Sequence, residues 1–372
     1  MLKAPTRAER LSLGQSIWSW DICDECIYER ECKSSSCDAY RARNLMRYWT
    51  YYLNAILDYN SMEHSGADRS VASYEMIFKV IRLLQTQPKL TREELAKLAD
   101  ADFKDINLAV RLMTMIPCSY ETGSFVKMEQ GTNPIPWSQS ISFDQFMEKA
   151  LPTVSVALRL NAQQKAALVA KKLKKKIGVH LRPTNDLREH LKLERGRRVT
   201  LYIFHHTAFL KEHLRRTKTV PQDTVTPHYP RMGAIPRGLA LEILDSIHKI
   251  LFPLADRKSR KMLKNLIRNH SFDDDIIKYE SAAFRNPYER DMDFLYLGQQ
   301  LQELIEEVEH PRPHGRVSKL IQRNSHSRHM MMATLAGVAF AVLLGFLALI
   351  VTSFQTWITW QQWKHPIENP PG

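Results

Sequence analysis

Four of the five cysteines of this chain lie close together near its amino end. Cys23, Cys26, Cys32 and Cys37 follow the pattern C-x2-C-x5-C-x4-C, and four thiolates at such short spacing can hold one tetrahedral zinc ion. The second pair is less regular than the repeated C-x2-C pairs of most four-cysteine sites, so unligated thiols and reversible acylation are alternatives. Disulfides are not expected in the reducing cytosol. The pattern therefore predicts a zinc site as one use of these thiols, and Cys118 stands alone.

A second group of residues that could bind a ligand is basic. Residues 155–270 contain 26 lysines and arginines against 8 aspartates and glutamates, although the net charge of the whole chain is only +13. Such a region can contact an anionic membrane, nucleic acid or an acidic protein, whereas a merely solvated helix end is the alternative. The residues predicted to bind an anionic surface are Lys171, Lys172, Lys174, Lys175, Lys176, Arg195, Arg197, Arg198, Arg316, Lys319, Arg323 and Arg328.

The chain carries no motif of a known enzyme class. A phosphate-binding GxxxxGK[ST] loop, a GxGxxG turn, a GxSxG elbow, an HExxH pair and a kinase HRD set are all missing from the sequence. His205 and His206 adjoin a strand-like run, and neighbouring strand residues point to opposite faces, so we expect structural roles for both. The triplet at residues 273–275 is expected to cap a helix. No catalytic residue is predicted, and an enzyme of unrecognised type is the third interpretation.

One segment near the carboxyl end is long and apolar enough to cross a membrane. Residues 330–363 contain no Asp, Glu, Lys or Arg. A helix over residues 330–353 would be about 36 Å long, which exceeds the hydrocarbon thickness of a bilayer. Trp357, Trp360 and Trp363 follow the apolar core, where indole rings favour the headgroup layer. A short helix lying flat on the surface is the alternative for these three tryptophans.

The flanks of this segment predict its orientation. Several basic residues precede it and only Lys364 follows it, so the positive-inside rule places the amino-terminal part in the cytosol. The first twenty residues have no apolar run of a secretory signal. We therefore expect a single-pass, tail-anchored layout, and the nearly neutral end favours endomembranes over mitochondria.

Small residues recur every fourth position within the apolar segment. Ala333, Gly337, Ala341 and Gly345 would share one face of a helix, where two backbones can approach closely. This face predicts a homodimer or contact with the membrane helix of a partner. The alternative is that alanine and glycine are simply common in membrane helices.

Residues 72–116 have the periodicity of three helices. The first is predicted over Tyr74–Gln85, the second over Arg92–Ala99, and the third is opened by Asp102. A small hairpin is predicted from Ser119–Lys127 and Ser138–Phe143. Over residues 72–143 this order resembles a winged helix-turn-helix.

The predicted third helix of this region has balanced charge. It contains two basic residues, Lys104 and Arg111, and two acidic residues lie at its start, Asp102 and Asp105. A helix that reads DNA needs a surplus of basic side chains. We therefore expect the winged-helix-like region to bind a protein rather than DNA.

Residues 271–309 reverse the sign of the charge, since they contain eleven acidic side chains. Within them, Phe294, Leu297, Leu301, Leu304 and Val308 recur at helical steps of three and four, which predicts a helix with an apolar seam and an acidic back. Such a helix can dock on the basic region or pair with a second copy.

Two blocks of the sequence are similar to segments of a group of filamentous-fungal proteins that end in a membrane span. These blocks are RPTNDLREHLKLERGRRVTLYIFHHTAFLKEHLRR at Arg182–Arg216 and MMATLAGVAFAVLLGFLALIVTSFQTWITWQQWKHP at Met331–Pro366. The resemblance implies a membrane anchor and a cytosolic helical domain. It carries over no catalytic residue.

The sequence as a whole predicts a mainly α-helical cytosolic region with small β elements and one carboxyl-terminal transmembrane helix. The leading functional hypothesis is a non-enzymatic membrane-anchored adaptor, and the second is a membrane-tethered regulator that binds nucleic acid. The predicted segments are 1–60 with the cysteines and an aromatic helix, 61–154 winged-helix-like, 155–309 basic helical, 310–329 stalk, 330–353 membrane span and 354–372 tail.

Overall fold

Amphipathic stretches of the sequence fold into helices, so the computed structural model is mainly α-helical with small sheets, as the sequence predicts. The chain forms two units by its internal packing, residues 1–311 and residues 312–372. The structure describes residues 2–28, 36–62, 73–119, 133–196, 198–218, 235–270, 272–279, 281–289, 291–311 and 328–364.

The amino-terminal helices form part of the core of the larger unit. A capping box between Thr6 and Glu9 begins the first of them. The aromatic helix predicted within residues 1–60 is preceded by a 3-10 helix, and the Asp38 carboxylate accepts from the backbone N–H of Asp21. The elements are α1 (Arg7–Trp18), α2 (Asp24–Tyr28), the 3-10 helix (Asp38–Leu45) and α3 (Met46–Met62).

The three helices predicted after residue 72 are present. A capping box of Thr91 and Glu94 begins the second, and Asp102 begins the third. These helices pack on one another and on α1 and α3, with their apolar faces buried. The elements of this region are α4 (Tyr74–Thr86), α5 (Arg92–Ala99), α6 (Phe103–Thr114), β1 (Cys118–Ser119), β2 (Ile135–Pro136) and α7 (Phe143–Ala150).

The strand pairing in this region differs from the predicted hairpin. β1 pairs with β2 in parallel, and residues 138–143 lead into α7 instead of forming a return strand. Ser142 makes only an isolated antiparallel bridge to Thr91. Residues 120–132, which include most of the first predicted hairpin strand, lie outside the described residues.

The basic region contains a three-stranded sheet flanked by helices. β5 is central, with β3 parallel on one side and β4 antiparallel on the other. Residues 162–177 form two successive helices, and Gly178 ends the second with a φ of +66°, a conformation that glycine adopts without strain. The elements are α8 (Ala162–Ala167), α9 (Ala170–Ile177), β3 (His180–Thr184), a 3-10 turn (Leu187–Glu189), β4 (Leu193–Arg195) and β5 (Val199–Phe204).

The remaining helices of the larger unit close the core. The predicted acidic helix, α14, docks within the chain: it packs on α8, α9 and β4, and its buried Glu307 accepts from Arg195 Nε at 3.0 Å. The elements are α10 (Thr207–Arg216), α11 (Arg237–Asp245), a π-helical turn (Ser246–Leu251), α12 (Arg257–His270), a 3-10 helix (Asp274–Ile277), α13 (Ser281–Phe284), a 3-10 turn (Pro287–Glu289) and α14 (Gly298–Glu309).

The smaller unit contains one long apolar helix, α15, over Arg328–Lys364. Its 37 residues make it about 55 Å long, which exceeds the ~30 Å hydrocarbon core of a bilayer. The helix continues past the predicted end at Ser353, so the three tryptophans extend the same helix. One continuous helix is therefore long and apolar enough to cross a membrane.

Candidate metal centre

Three of the four clustered cysteines meet in space. The Sγ atoms of Cys23, Cys26 and Cys37 all lie within 4.8 Å of one another. Cys26 and Cys37 are buried and Cys23 is half-buried. Thiolates about 2.3 Å from a tetrahedral zinc ion are separated by about 3.8 Å, so a small adjustment brings these three sulfurs to a common ion.

Local backbone structure brings the three cysteines together. The backbone N–H of Cys26 donates to the carbonyl of Cys23 at 3.0 Å, which closes a tight turn at the start of α2. The backbone N–H of Asp38 donates to the carbonyl of Asp21 at 2.8 Å, and the carboxylate of Asp38 accepts from Asp21 N–H at 3.2 Å. This pair of bonds returns Cys37, the neighbour of Asp38, to the C-x2-C turn.

The donor set fits zinc rather than a hard cation, because among the described residues three soft thiolates converge without a carboxylate. Structural zinc sites have four protein ligands. Cys32 lies within residues 29–35, outside the described part of the chain, and its assignment as fourth ligand stays a prediction. A metal bound here would join residues on both sides of that segment.

The candidate metal centre follows a pair of buried tryptophans. Trp18 Nε1 donates to Nδ1 of His213 at 3.0 Å, and Trp20 Nε1 donates to Oε2 of Glu212 at 3.1 Å. The two indole rings stack with centroids 5.0 Å apart. The Trp20 ring also lies directly on Gly14, where a Cβ atom would come within 2.2 Å of it.

Glu212 connects this tryptophan pair to the cysteine region through charge. Burial raises the pKa of the Glu212 carboxyl, while the neighbouring Arg215 and Arg41 oppose that rise. Arg41 lies 3.6 Å from Glu212 and 3.0 Å from Asp38, the residue after Cys37. The cysteine region is therefore tied to α10 by hydrogen bonds and ion pairs before any metal is considered.

A second cluster of polar side chains surrounds the end of β5, and the expectation that His205 and His206 point to opposite faces is wrong. The strand ends at Phe204, so the alternation of faces ends there. Both Nε2 atoms contact Oδ1 of Asn185, at 3.2 Å from His205 and 2.8 Å from His206. The backbone N–H of Asp273 donates to Nδ1 of His205 at 3.0 Å. These bonds give His205 the structural role that the sequence suggests.

The acidic triplet at residues 273–275 also has structural contacts. The Asp273 side chain accepts from the N–H of Asp275 and caps a 3-10 helix, as expected. Lys211 Nζ lies 2.5 Å from Oδ2 of Asp275 and also donates to the carbonyl of Lys278 at 2.6 Å. Thr207 donates to the same carboxylate oxygen of Asp275 at 3.0 Å. Sequence spacing gave no signal for the Lys211–Asp275 pair, because its partners are 64 residues apart.

The predicted anionic-surface residues have different environments. The five lysines of α9 are exposed. Arg195 pairs with Glu307, and Arg198 Nη1 lies 3.4 Å from Nε2 of His180. The side chains that fall outside the described residues are those of Arg197, Arg316, Lys319, Arg323 and Arg328.

The residues predicted for membrane contact all belong to α15. Gly337, Ala341 and Gly345 are exposed along it, and the side chain of Ala333 lies outside the described residues. Trp357, Trp360 and Trp363 are exposed, and Lys364 Nζ lies 4.6 Å from the centroid of the Trp360 ring.

The chain matches none of the protein-family models, curated proteins or solved structures with which we compared it.

The cysteine cluster predicts about one zinc ion per chain in the purified full-length protein. Cys26→Ser and Cys37→Ser should each lose most of this zinc, because each removes one thiolate ligand from the site. Metal analysis by inductively coupled plasma mass spectrometry measures the content. Cys118→Ser is the matched control, since Cys118 is a buried cysteine outside the cluster. Wild-type protein without zinc, or a Cys26→Ser variant that keeps it, would contradict the site.

The buried histidines predict a loss of stability in mild acid. Burial lowers the pKa of His190 and His205 to about 3 and that of His213 and His248 to about 4. The unfolded chain, with histidine pKa values of about 6.5, therefore binds more protons below that pH. The free energy of unfolding should fall as the pH drops from about 6.5 toward 4.

Buried carboxyls act in the opposite direction. Burial raises the pKa of Glu242 and Asp273 to about 7 and also raises that of Glu212, so each favours the folded state at lower pH, but the buried histidines outnumber these carboxyls. Urea unfolding of the full chain in neutral detergent, followed by near-ultraviolet circular dichroism, measures the balance. His248→Gln should weaken the pH dependence and the exposed His180→Gln should not. A midpoint that does not fall in acid would refute the prediction.

Proposed function

We propose that the protein is a single-pass, membrane-anchored interaction protein without catalysis of its own, whose helical unit binds a protein partner in the cytosol. The observation that carries the proposal is an 18-residue apolar window within Thr334–Lys364 of α15, which has a mean hydropathy of 2.6. No residue of that window is buried. Apolar surface of this extent is unstable in water and stable in lipid.

The proposed orientation places residues 1–311 in the cytosol and the end of α15 across the membrane. Basic residues before the apolar core, such as Arg323 and Arg328, outnumber those after it, which favours this direction of insertion.

Protein binding, rather than DNA reading, is favoured for the winged-helix-like region by the burial of α6. A DNA-reading helix must expose base-contacting side chains, but α6 is enclosed, and its Arg111 pairs with Asp58 at 2.8 Å. The exposed side chains of α5 instead combine Glu93, Lys97 and Leu98. A mixed surface of this kind suits a protein partner.

A non-catalytic role is supported by how the buried titratable groups are used. His190 Nδ1 accepts from the backbone N–H of Phe204 at 3.1 Å, and its Nε2 lies 2.7 Å from the Ser246 hydroxyl. Arg285 and Asp245 form a buried pair at 2.5 Å. These contacts hold elements together and leave the groups enclosed. Zinc at the cysteines would add a further structural crosslink.

A nucleic-acid-binding regulator is the second candidate, and the surplus of basic residues over 155–270 favours it. Such binding would be non-specific and steeply dependent on salt.

Membrane anchoring predicts that the full chain resists extraction from membranes by alkaline carbonate. Leu343→Arg combined with Leu347→Arg should shift the protein to the extracted fraction, because each charge at the centre of a span costs about 2.5–3.5 kcal/mol of insertion free energy. Gln361→Arg combined with Gln362→Arg, beyond the apolar core, should remain in the pellet. Equal extraction of both variants and the wild type would disprove anchoring by this helix.

Partner binding through α5 predicts a complex larger than the chain in its micelle when the native protein is solubilised in mild detergent. Leu98→Arg should reduce this size, since Leu98 is 50% exposed on α5. Leu57→Arg is the control, because Leu57 is 57% exposed on α3, outside the region. Light scattering measures the mass, and a Leu98→Arg variant with unchanged mass would oppose the assignment.

A further inference from the structure

Two strongly basic helices of the larger unit, α9 and α12, lie in contact. Each is amphipathic. α9 buries Ala170, Leu173 and Ile177, and α12 buries Ser259, Leu263 and Leu266. Their exposed basic side chains are Lys171, Lys172, Lys174, Lys175 and Lys176 on α9, and Arg257, Lys258, Arg260, Lys261, Lys264 and Arg268 on α12.

This surface, which we call the α9–α12 basic surface, has little internal neutralisation. Neither helix contains an aspartate or a glutamate. Within the described residues, the salt bridges of the larger unit involve other basic side chains and none of these eleven. The surface therefore presents its charge to solvent.

The neighbouring acidic helix does not compensate this charge by direct pairing. α14 packs on α9, but its buried Glu307 binds Arg195 of β4. Glu303 accepts from Gln299, and Glu306 accepts from Gln302, both at 3.2 Å along α14 itself. The lysines of α9 thus stay outside the ion pairs of the described chain.

The spacing of the charges is unfavourable for the isolated helices. Lys171 and Lys175 are four residues apart, as are Arg260 and Lys264, and Lys264 and Arg268. Like charges at this spacing repel on a helix surface. An external anionic surface would relieve the repulsion, which is an electrostatic reason to expect one.

We propose that the α9–α12 basic surface docks on anionic phospholipid headgroups of the bilayer that α15 crosses. The proposal rests on the proposed membrane anchoring, since a covalent link to a span raises the effective concentration of lipid. Neither helix contains a phenylalanine, tyrosine or tryptophan for base stacking. Lysine predominates, and its compact charge suits headgroup phosphates without bidentate geometry.

The test uses the full chain in nanodiscs of neutral phosphatidylcholine or of phosphatidylcholine with phosphatidylserine. Lysines are acetylated with an uncharged, amine-reactive reagent. Mass spectrometry gives the rate of acetylation at each lysine. Lysines of α9 and α12 should react about five-fold more slowly in the anionic discs, the factor expected for one basic side chain held at an anionic leaflet. The exposed Lys89 and Lys149, outside both helices, are internal references and should not change.

Higher salt and substitution of individual lysines test whether the protection is electrostatic and where it arises. Raising the salt from about 0.1 M to 1 M should abolish the protection, because screening then acts within about 3 Å. Lys171→Gln with Lys175→Gln in α9 should reduce the protection of the α12 lysines from acetylation. Lys89→Gln with Lys149→Gln should leave that protection unchanged.

The outcomes separate the two proposals. Failure of the chain to enter nanodiscs refutes the membrane anchoring. Incorporation with equal reaction rates in neutral and anionic discs overturns lipid docking alone. Stronger protection of the same lysines by duplex DNA in neutral discs than by anionic lipid would also overturn it, in favour of nucleic acid.

Discussion

Burial of two indole rings whose N–H groups need acceptors is the constraint on which the larger unit depends. Trp18 and Trp20 find those acceptors in His213 and Glu212, 195 and 192 residues away. Leaving such a group unpaired in the core costs about 1–3 kcal/mol, so the amino-terminal segment and α10 are specified together. The cysteine region follows Trp20 directly in the chain, so the hydrogen bond of Trp20 to Glu212 also positions the start of that region.

The larger unit pairs its buried charged side chains with each other but leaves the basic side chains of α9 and α12 exposed and unpaired with acidic residues of their own helices. In the interior, Lys211 contacts Asp275, and Arg285 contacts Asp245, each at 2.5 Å and nearly excluded from water. A buried charge without a partner is far more costly than one with a partner. On α9 and α12 the basic side chains are exposed and share no acidic residue within their helices. Water tolerates that arrangement, so the exposed charges are available for function in a way that the buried ones are not.

Local signals predicted local elements well, and long-range contacts poorly. The capping box of Thr91 and Glu94 fixed the start of α5, because its hydrogen bonds span three residues. The shared contact of His205 and His206 with Asn185 was missed, because strand alternation stops where the strand ends. Cysteine spacing indicated a common site, but only the backbone pairing of residues 21 and 38 brings Cys37 to the other two.

Anchoring and electrostatic docking would divide the work between two chemically different surfaces. Insertion of an apolar helix is insensitive to salt, and it alone suffices to hold the chain at a bilayer. Contacts between single basic side chains and an anionic leaflet are each weak and screened within about 8–10 Å. The basic surface therefore need not supply membrane affinity. Its contribution would be orientation, because many weak contacts spread over α9 and α12 would favour one face of the larger unit toward the headgroups.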